Sequence, residues 1–217
     1  MTVAPSIWDE RAERYRDSDV HRSGEDLDLM IDLCEPGEGV RALDVAAGGG
    51  HVADRLRALG CEMTTTDAAP GMNPDFVADA ASLPFEDDAF VLAATRYATH
   101  HFRDIDAAVD ELARVAADRV VAVDTVYQDD AVEEAELIRD ADHVRNYSES
   151  EWRELFASAG LAVDSCTVMN KWMNLDAWLA RTGCDGDKAA AVRQLVASRT
   201  RGSDWNLPVI VIRGRAS

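Results

Sequence analysis

Lysine is nearly missing from this chain. Its 217 residues hold only Lys171 and Lys188, against 20 Arg, 27 Asp and 14 Glu, and the formal net charge is −19. A polyanion repels nucleic acid and anionic membrane surfaces, so neither is expected as a partner. Cysteine is scarce as well. Cys34, Cys61, Cys166 and Cys184 form no C-x-x-C pair, which leaves no signal for a zinc or redox site, and no metal is expected. No apolar run approaches the roughly 18 residues of a membrane span. Trp8, Asp9 and Glu10 stand where a signal peptide needs apolar residues, so the expectation is a cytoplasmic protein with reduced thiols.

What is present suffices for one domain with a substantial core, since 47% of the residues are hydrophobic. Surplus carboxylate with little Lys fits a protein adapted to concentrated salt, where self-repulsion is screened within about 3 Å at 1 M ionic strength. A GC-rich genome, which favours Arg over Lys, is the competing source of the same bias. Melting temperature against KCl separates the two.

Short apolar strands alternate with amphipathic helices, the pattern of an α/β parallel sheet. A helix is expected at 7–17, and Ser23-Gly24-Glu25-Asp26 reads as a capping box opening a second, with Leu27, Met30, Ile31 and Cys34 on one face. Strands are expected at 40–45, 62–67, 76–78, 89–95, 119–124, 161–168 and 208–212. Helices are expected at 51–59, 105–116 and 132–140, with another from the Ser148-Glu149-Ser150-Glu151 capping box to Gly160. The acidic run 129–136 reads as a solvated helix face. Trp152, Trp172, Trp178 and Trp205, with Met169 and Met173, read as core first and acceptor pocket second.

The chemistry concentrates in Leu43-Asp44-Val45-Ala46-Ala47-Gly48-Gly49-Gly50, a strand running into a glycine-rich turn and a helix, with Asp67 at the tip of the next strand. In an open parallel sheet, ligands bind beyond the carboxyl ends of the strands, and small residues there let a ligand lie against the backbone. An acidic side chain 23 positions after Asp44 is placed to accept both ribose hydroxyls of an adenosine-type nucleotide. The register Ala46-x-Gly48-x-x-His51 departs from the dinucleotide fingerprint, because a bulky His stands where close helix packing needs a small residue. The turn therefore suits a ligand without phosphates better than a pyrophosphate.

These residues, continuing into His51-Val52, closely resemble motif I of class I S-adenosylmethionine-dependent methyltransferases, in the methyltransferase type 11 branch that includes the ubiquinone/menaquinone C-methyltransferases. Thr66-Asp67 resembles the ribose motif, and Asp79-Ala80 followed by Leu83-Pro84-Phe85 resembles the adenine-binding turn. His100-His101-Phe102 resembles the segment after the fourth strand, and His21-x-x-Gly24-x-Asp26-Leu27 and 143–148 resemble further elements of the branch. The resemblance implies a Rossmann-like fold with a seven-stranded, mostly parallel sheet, an antiparallel last hairpin and helices on both faces. It implies one domain over 1–217, with a helical lid at 1–35 and caps over the acceptor at 128–150 and 170–206. It implies S-adenosyl-L-methionine as cofactor and S-adenosyl-L-homocysteine as product. Tyr15, His21, Asp44, Ala46, Gly48, Gly50, Asp67, Ala68, Asp79, Ala80 and Arg96 are the implied cofactor residues. Arg96 has a second reading as the partner of a structural Asp.

Methyl transfer is an in-line displacement that draws on alignment, and a base is needed only if the acceptor loses a proton. The candidates for that base are His100, His101, His143 and Tyr147. The acceptor is a small organic molecule, methylated on a quinone-like carbon or on oxygen or nitrogen, and a monomer or homodimer both remain open. Absence of a D/N-P-P-Y motif speaks against nucleic-acid and protein amide N-methylation. Three departures stand out: Ala46 replaces the first glycine, Asn73-Pro74 interrupts where a third helix normally continues, and Ala116-Ala117-Asp118 replaces a glycine-rich turn. A non-catalytic cofactor-binding module and a nicotinamide-dependent oxidoreductase are the alternatives.

Overall fold

The computed structural model describes residues 7–16 and 18–216. In chain order the elements are α1 (Ile7–Arg16), α2 (Asp19–Arg22), α3 (Glu25–Leu33), β1 (Arg41–Val45), α4 (His51–Ala58), β2 (Glu62–Asp67), β3 (Phe76–Val77) and β4 (Phe90–Arg96). There follow α5 (Ile105–Val115), β5 (Ala116–Thr125), α6 (Asp130–Arg139), α7 (Glu149–Ser158), β6 (Leu161–Met169), β7 (Trp172–Asn174), α8 (Leu175–Thr182), α9 (Gly186–Leu195), β8 (Thr200–Arg201), β9 (Asp204–Asn206) and β10 (Val209–Ala216). The expected end of the first helix, Asp17, lies outside the described residues.

Seven strands form one sheet in the order β3-β2-β1-β4-β5-β10-β6, parallel except for β10, which runs antiparallel to both neighbours. This is the Rossmann-like methyltransferase fold with a reversed last hairpin. β4 and β5 lie at its centre and are apolar because both faces are covered. On one face α3 and α4 pack Leu27, Met30 and Leu56 against Ala42, Leu92 and Val121. On the other, α5 and α7 pack Leu112, Trp152 and Phe156 against Leu43, Ala93 and Ile210. Burying a side chain of this size contributes about 1.5–3 kcal/mol. Among the described residues no helix is long and apolar enough to cross a membrane.

The Ser148 capping box forms: the Ser148 side chain accepts from the Glu151 N–H, and the Glu151 carboxylate accepts from the Ser148 N–H. The Ser23 box does not. Gly24, at φ 142°, is the N-cap of α3, and the Asp26 carboxylate accepts instead from Arg96 Nη2 at 2.6 Å, Lys171 Nζ at 2.7 Å and Tyr97 Oη at 2.9 Å. Three charged or phenolic donors from distant segments outbid a local cap.

The interruption at Asn73-Pro74 reduces the third helix to a 3₁₀ turn at Pro70–Met72, after which Asn73 turns left-handed at φ 59°. At the third departure α5 runs straight into β5 through an extended Ala116, with no glycine turn between them.

The acidic run of α6 is not simply a solvated face. Asp129 caps the helix by accepting from Val132 N–H, Glu133 holds Asn146 and His143, and Glu136 is buried on Arg139. Val132 and Ala135 of α6 also form a core with Trp178, Leu179, Val192 and Trp205, above the three-stranded antiparallel sheet β7-β9-β8 that the sequence pattern did not reveal. Trp152, Trp178 and Trp205 are thus core residues, and Trp172 stays 42% exposed.

Candidate active site

The turn after β1 sets the floor of the site. Val45 leads into Ala46 at φ 55°, then Gly48 at φ 52° and Gly50 at φ 80° as the N-cap of α4. Glycine adopts the left-handed region without strain, whereas an L-alanine there costs roughly 1–2 kcal/mol. The missing first glycine therefore leaves a strained backbone at a strand tip. Tyr97, at the tip of β4, is the second non-glycine in the cavity wall with this conformation, at φ 55°. Such strain collects where a ligand is held.

A Cβ added to Gly48 meets no atom within 4 Å, whereas one at Gly49 meets the Tyr15 carbonyl at 2.8 Å. The turn is thus open on one side and covered by α1 on the other. His51 fastens that cover, its Nε2–H donating to the Tyr15 carbonyl at 3.0 Å.

Above the turn lies a cavity of about 370 Å³ at the carboxyl ends of β1, β2 and β4. Its wall contains Asp44, Ala46, Gly48, Asp67, Ala68, Asp79, Ala80 and Arg96, together with Tyr15 and His21 from the N-terminal helices. Of the expected cofactor residues only Gly50 is displaced, lining the outer side of the turn.

Asp67 accepts from Gly48 N–H and Ala69 N–H, each at 2.9 Å. A carboxylate has about four acceptor sites, so further donors can be taken. Burial raises its pKa despite these backbone donors. Asp44 is 1% exposed, accepts from Ala53 N–H at 3.1 Å, and is pushed up to about 7 by burial. Asp79 is exposed and turns its Oδ1 to Ala81 N–H at 3.0 Å.

Arg96 is largely committed to structure. Its Nε and Nη2 donate to Asp26 at 3.1 and 2.6 Å, and its Nη1 donates to the His21 carbonyl at 2.8 Å. It ties the N-terminal segment to the strand tip, the second of its two readings.

The expected bases separate. His101 lines the large cavity, and its Nδ1–H donates to the Asp142 carbonyl at 3.0 Å, which leaves Nε2 as the acceptor nitrogen. Burial and neighbouring His100, with ring centroids 4.0 Å apart, hold His101 well below the usual histidine range, so it stays neutral. His100 lines a smaller adjoining cavity. Burial alone would lower its pKa, but Asp124 Oδ1 at 2.6 Å from Nδ1 raises it. His143 and Tyr147 line neither cavity: His143 Nε2 lies on Glu133 at 2.8 Å, and Tyr147 is buried against Trp152. Each is held by a partner inside the 129–152 region.

Residues that the sequence did not single out complete the roof. Trp8 stacks edge-on over His101 at 4.6 Å and donates its Nε1–H to Asp142. Arg11 donates to both Asp140 oxygens at 3.0 Å, with side chains 6% and 2% exposed. Asp124, near the end of β5, takes His100 Nδ1 at 2.6 Å and the His100 N–H at 3.1 Å. No local spacing signals these pairs, because the α1 partners lie more than a hundred residues away. The segment 170–206 adds nothing to the large cavity and lines the smaller one instead.

A profile of the methyltransferase domain family matches residues 9–165. The uncharacterized methyltransferase YcgJ of Bacillus subtilis is 34% identical over 220 residues, covering 91% of this chain and 85% of that protein. The YcgJ crystal structure superposes with a TM-score of 0.80 at 29% identity, over 88% of this chain and 97% of that one. The complex between the Haloferax volcanii Trm112 methyltransferase activator and a candidate methyltransferase gives a TM-score of 0.69 at 19% identity, covering 99% of each chain, a likeness of fold alone. With the glycine turn, the strand-tip carboxylates and the cavity they enclose, these matches settle the family. This chain belongs to the methyltransferase domain family.

Proposed function

We propose that the protein transfers the methyl group of S-adenosylmethionine to a small organic acceptor. The observation that carries this reading is the large cavity, where an open glycine turn at Gly48 faces carboxylates at two strand tips. The residues fit the cofactor: Asp67 keeps acceptor capacity for ribose hydroxyls, Asp44 offers a buried carboxylate to a cationic group, and Ala80 lies beside Asp79 at the adenine side. A SAM-dependent methyltransferase from Aquifex aeolicus shares the fold at a TM-score of 0.62 and 12% identity, over 96% of this chain and 98% of that chain. When bound, the cofactor supplies an electrophilic methyl group on a sulfonium.

Asp44, Asp67 and Ala80 would hold the donor, and the cavity wall would orient an acceptor for in-line displacement. His101 takes any proton the acceptor loses, through the Nε2 lone pair that its bond to Asp142 keeps free. His100, paired to Asp124, is a positioning residue beside His101, which burial first and His100 second keep unprotonated. The roof of Trp8, Tyr15 and His21 excludes water from the transfer. The acceptor atom is a quinone-like carbon or a metabolite oxygen or nitrogen, and the protein works in concentrated salt in the cytoplasm.

Calorimetry should give S-adenosylmethionine binding in preference to NADH, and an acceptor screen in molar KCl should release S-adenosylhomocysteine. Preference for NADH contradicts the reading, and cofactor binding without release for any acceptor favours a binding module. With a turned-over acceptor that loses a proton, His101→Ala should lower kcat about 10²–10⁴-fold. Melting temperature should rise with KCl, and a flat or falling curve removes the salt adaptation.

A further inference from the structure

One internal cavity of this acidic molecule has a basic wall. Behind Tyr15, His21 and Tyr97 lies the smaller cavity, about 50 Å³, whose wall holds His100, Arg139, Lys171 and Arg181 with Glu136 as the one carboxylate among the described residues. Three of these basic groups have a carboxylate partner. Arg139 Nη1 meets Glu136 at 2.7 Å, Lys171 Nζ meets Asp26 at 2.7 Å, and His100 Nδ1 meets Asp124 at 2.6 Å. Arg181 differs: no carboxylate of the described residues lies within 4.0 Å of its guanidinium, and its Nη2 rests on Met173 Sδ at 3.6 Å.

Burial and neighbouring Arg139 bring Arg181 down to about 10, still cationic at neutral pH. A sheltered guanidinium with no carboxylate of the described residues in ion-pair reach is a site for an anion from outside. The space admits a group the size of a carboxylate. An outer groove of about 410 Å³ shares Lys171, Met173, Trp178 and Arg181 with this cavity, and the cavity shares Tyr15, His21 and Tyr97 with the large one. Arg181 therefore stands between the groove and the proposed donor site.

We propose that the methyl acceptor is a carboxylate-bearing small molecule that enters by the groove and is held through its carboxylate by Arg181, with its nucleophilic atom reaching past Tyr15 and Tyr97. This rests on the methyltransferase reading above and names the acceptor class for it.

The test uses acetate as the probe. With the protein saturated in S-adenosylhomocysteine and total potassium salt held at about 2 M, acetate replaces chloride stepwise and melting temperature is followed. The wild type should be stabilised with a saturable dependence, and Arg181→Met should weaken that response at least about ten-fold. Arg181→Gln serves the same purpose should the Met variant fold poorly. Variants that respond as the wild type does overturn the proposal.

In the acceptor screen, each carboxylic acid is paired with its primary amide. A preference for the acid of about 30-fold or more in kcat/KM, collapsing in Arg181→Met through KM, supports the proposal. Equal turnover of acid and amide overturns it. Failure of the methyltransferase reading looks different: S-adenosylmethionine then binds neither wild type nor variants, while the acetate response persists.

Discussion

Two cavities meet at Tyr15, His21 and Tyr97, and their walls carry opposite charge. The larger is lined by Asp44, Asp67, Asp79, Asp104 and Asp142 against Arg96 and Arg103. The smaller is lined by Arg139, Lys171 and Arg181 against Glu136. A net charge of −19 accounts for the first and not for the second. Segregating the cations requires pairings across the fold, such as Lys171 with Asp26, which brings Lys171 to the wall of the smaller cavity. The contrast suits a cationic donor on one side and an anionic acceptor on the other, since complementary potentials set which ligand enters where.

The largest effect should come from the roof the cavities share. Arg11 and Asp140 form a buried pair that fastens α1 over both. Arg11→Ala leaves a buried carboxylate unpaired, a loss of about 3–5 kcal/mol. Donor and acceptor binding should weaken together by about 100-fold or more, read by calorimetry and KM. Loss confined to one ligand breaks the idea of a common roof.

Asp44 distinguishes the cavities by pH. Its pKa, raised from 3.8 to about 7, means the folded protein holds a proton that the unfolded chain releases. Stability without ligand should therefore fall as pH rises from about 4 to 7, by up to roughly 4 kcal/mol. Asp44→Asn keeps an oxygen for Ala53 N–H, removes that pH dependence, and should stabilise the ligand-free protein by about 1–3 kcal/mol while weakening S-adenosylmethionine. Urea unfolding at pH 5 and 7.5 reads the first effect; an unchanged slope with pH contradicts it.

The smallest effect belongs to Ala46. Ala46→Gly relieves a left-handed alanine and should raise stability by up to about 1 kcal/mol, with donor affinity changed less than about three-fold. A marked loss of affinity shows that the strain, or the methyl group, serves binding.

Much of the large cavity was legible in the sequence because its parts are local. The Leu43–Gly50 turn, Asp67 at the next strand tip and Asp79-Ala80 each announce themselves through spacing, and Asn73-Pro74 foretold the missing third helix. The Ser148 box formed because its members are three residues apart and Arg145 takes only Oε1 of Glu151, leaving Oε2 for the Ser148 N–H. The identical logic failed at Ser23, where Asp26 finds Arg96, Tyr97 and Lys171 at separations of 70 residues or more. The small cavity was illegible for the same reason. Arg139–Glu136 is a local pair within α6, but the His100–Asp124 pair and the place of Arg181 beside it exist only once β5, α6 and α8 are brought together. His143 and Tyr147 looked chemical as residue types, yet Glu133 and Trp152 hold them away from both cavities.

The separation of the two sites is the central claim, and calorimetric titration of S-adenosylmethionine into the wild type, Asp67→Ala and Arg181→Met tests it most directly. Loss of the Asp67 carboxylate should weaken binding by about 2–3 kcal/mol, roughly 30- to 150-fold, whereas Arg181→Met should leave the affinity unchanged. Equal weakening by both would contradict the account, because Arg181 would then hold the donor's own carboxylate and the two cavities would be one site.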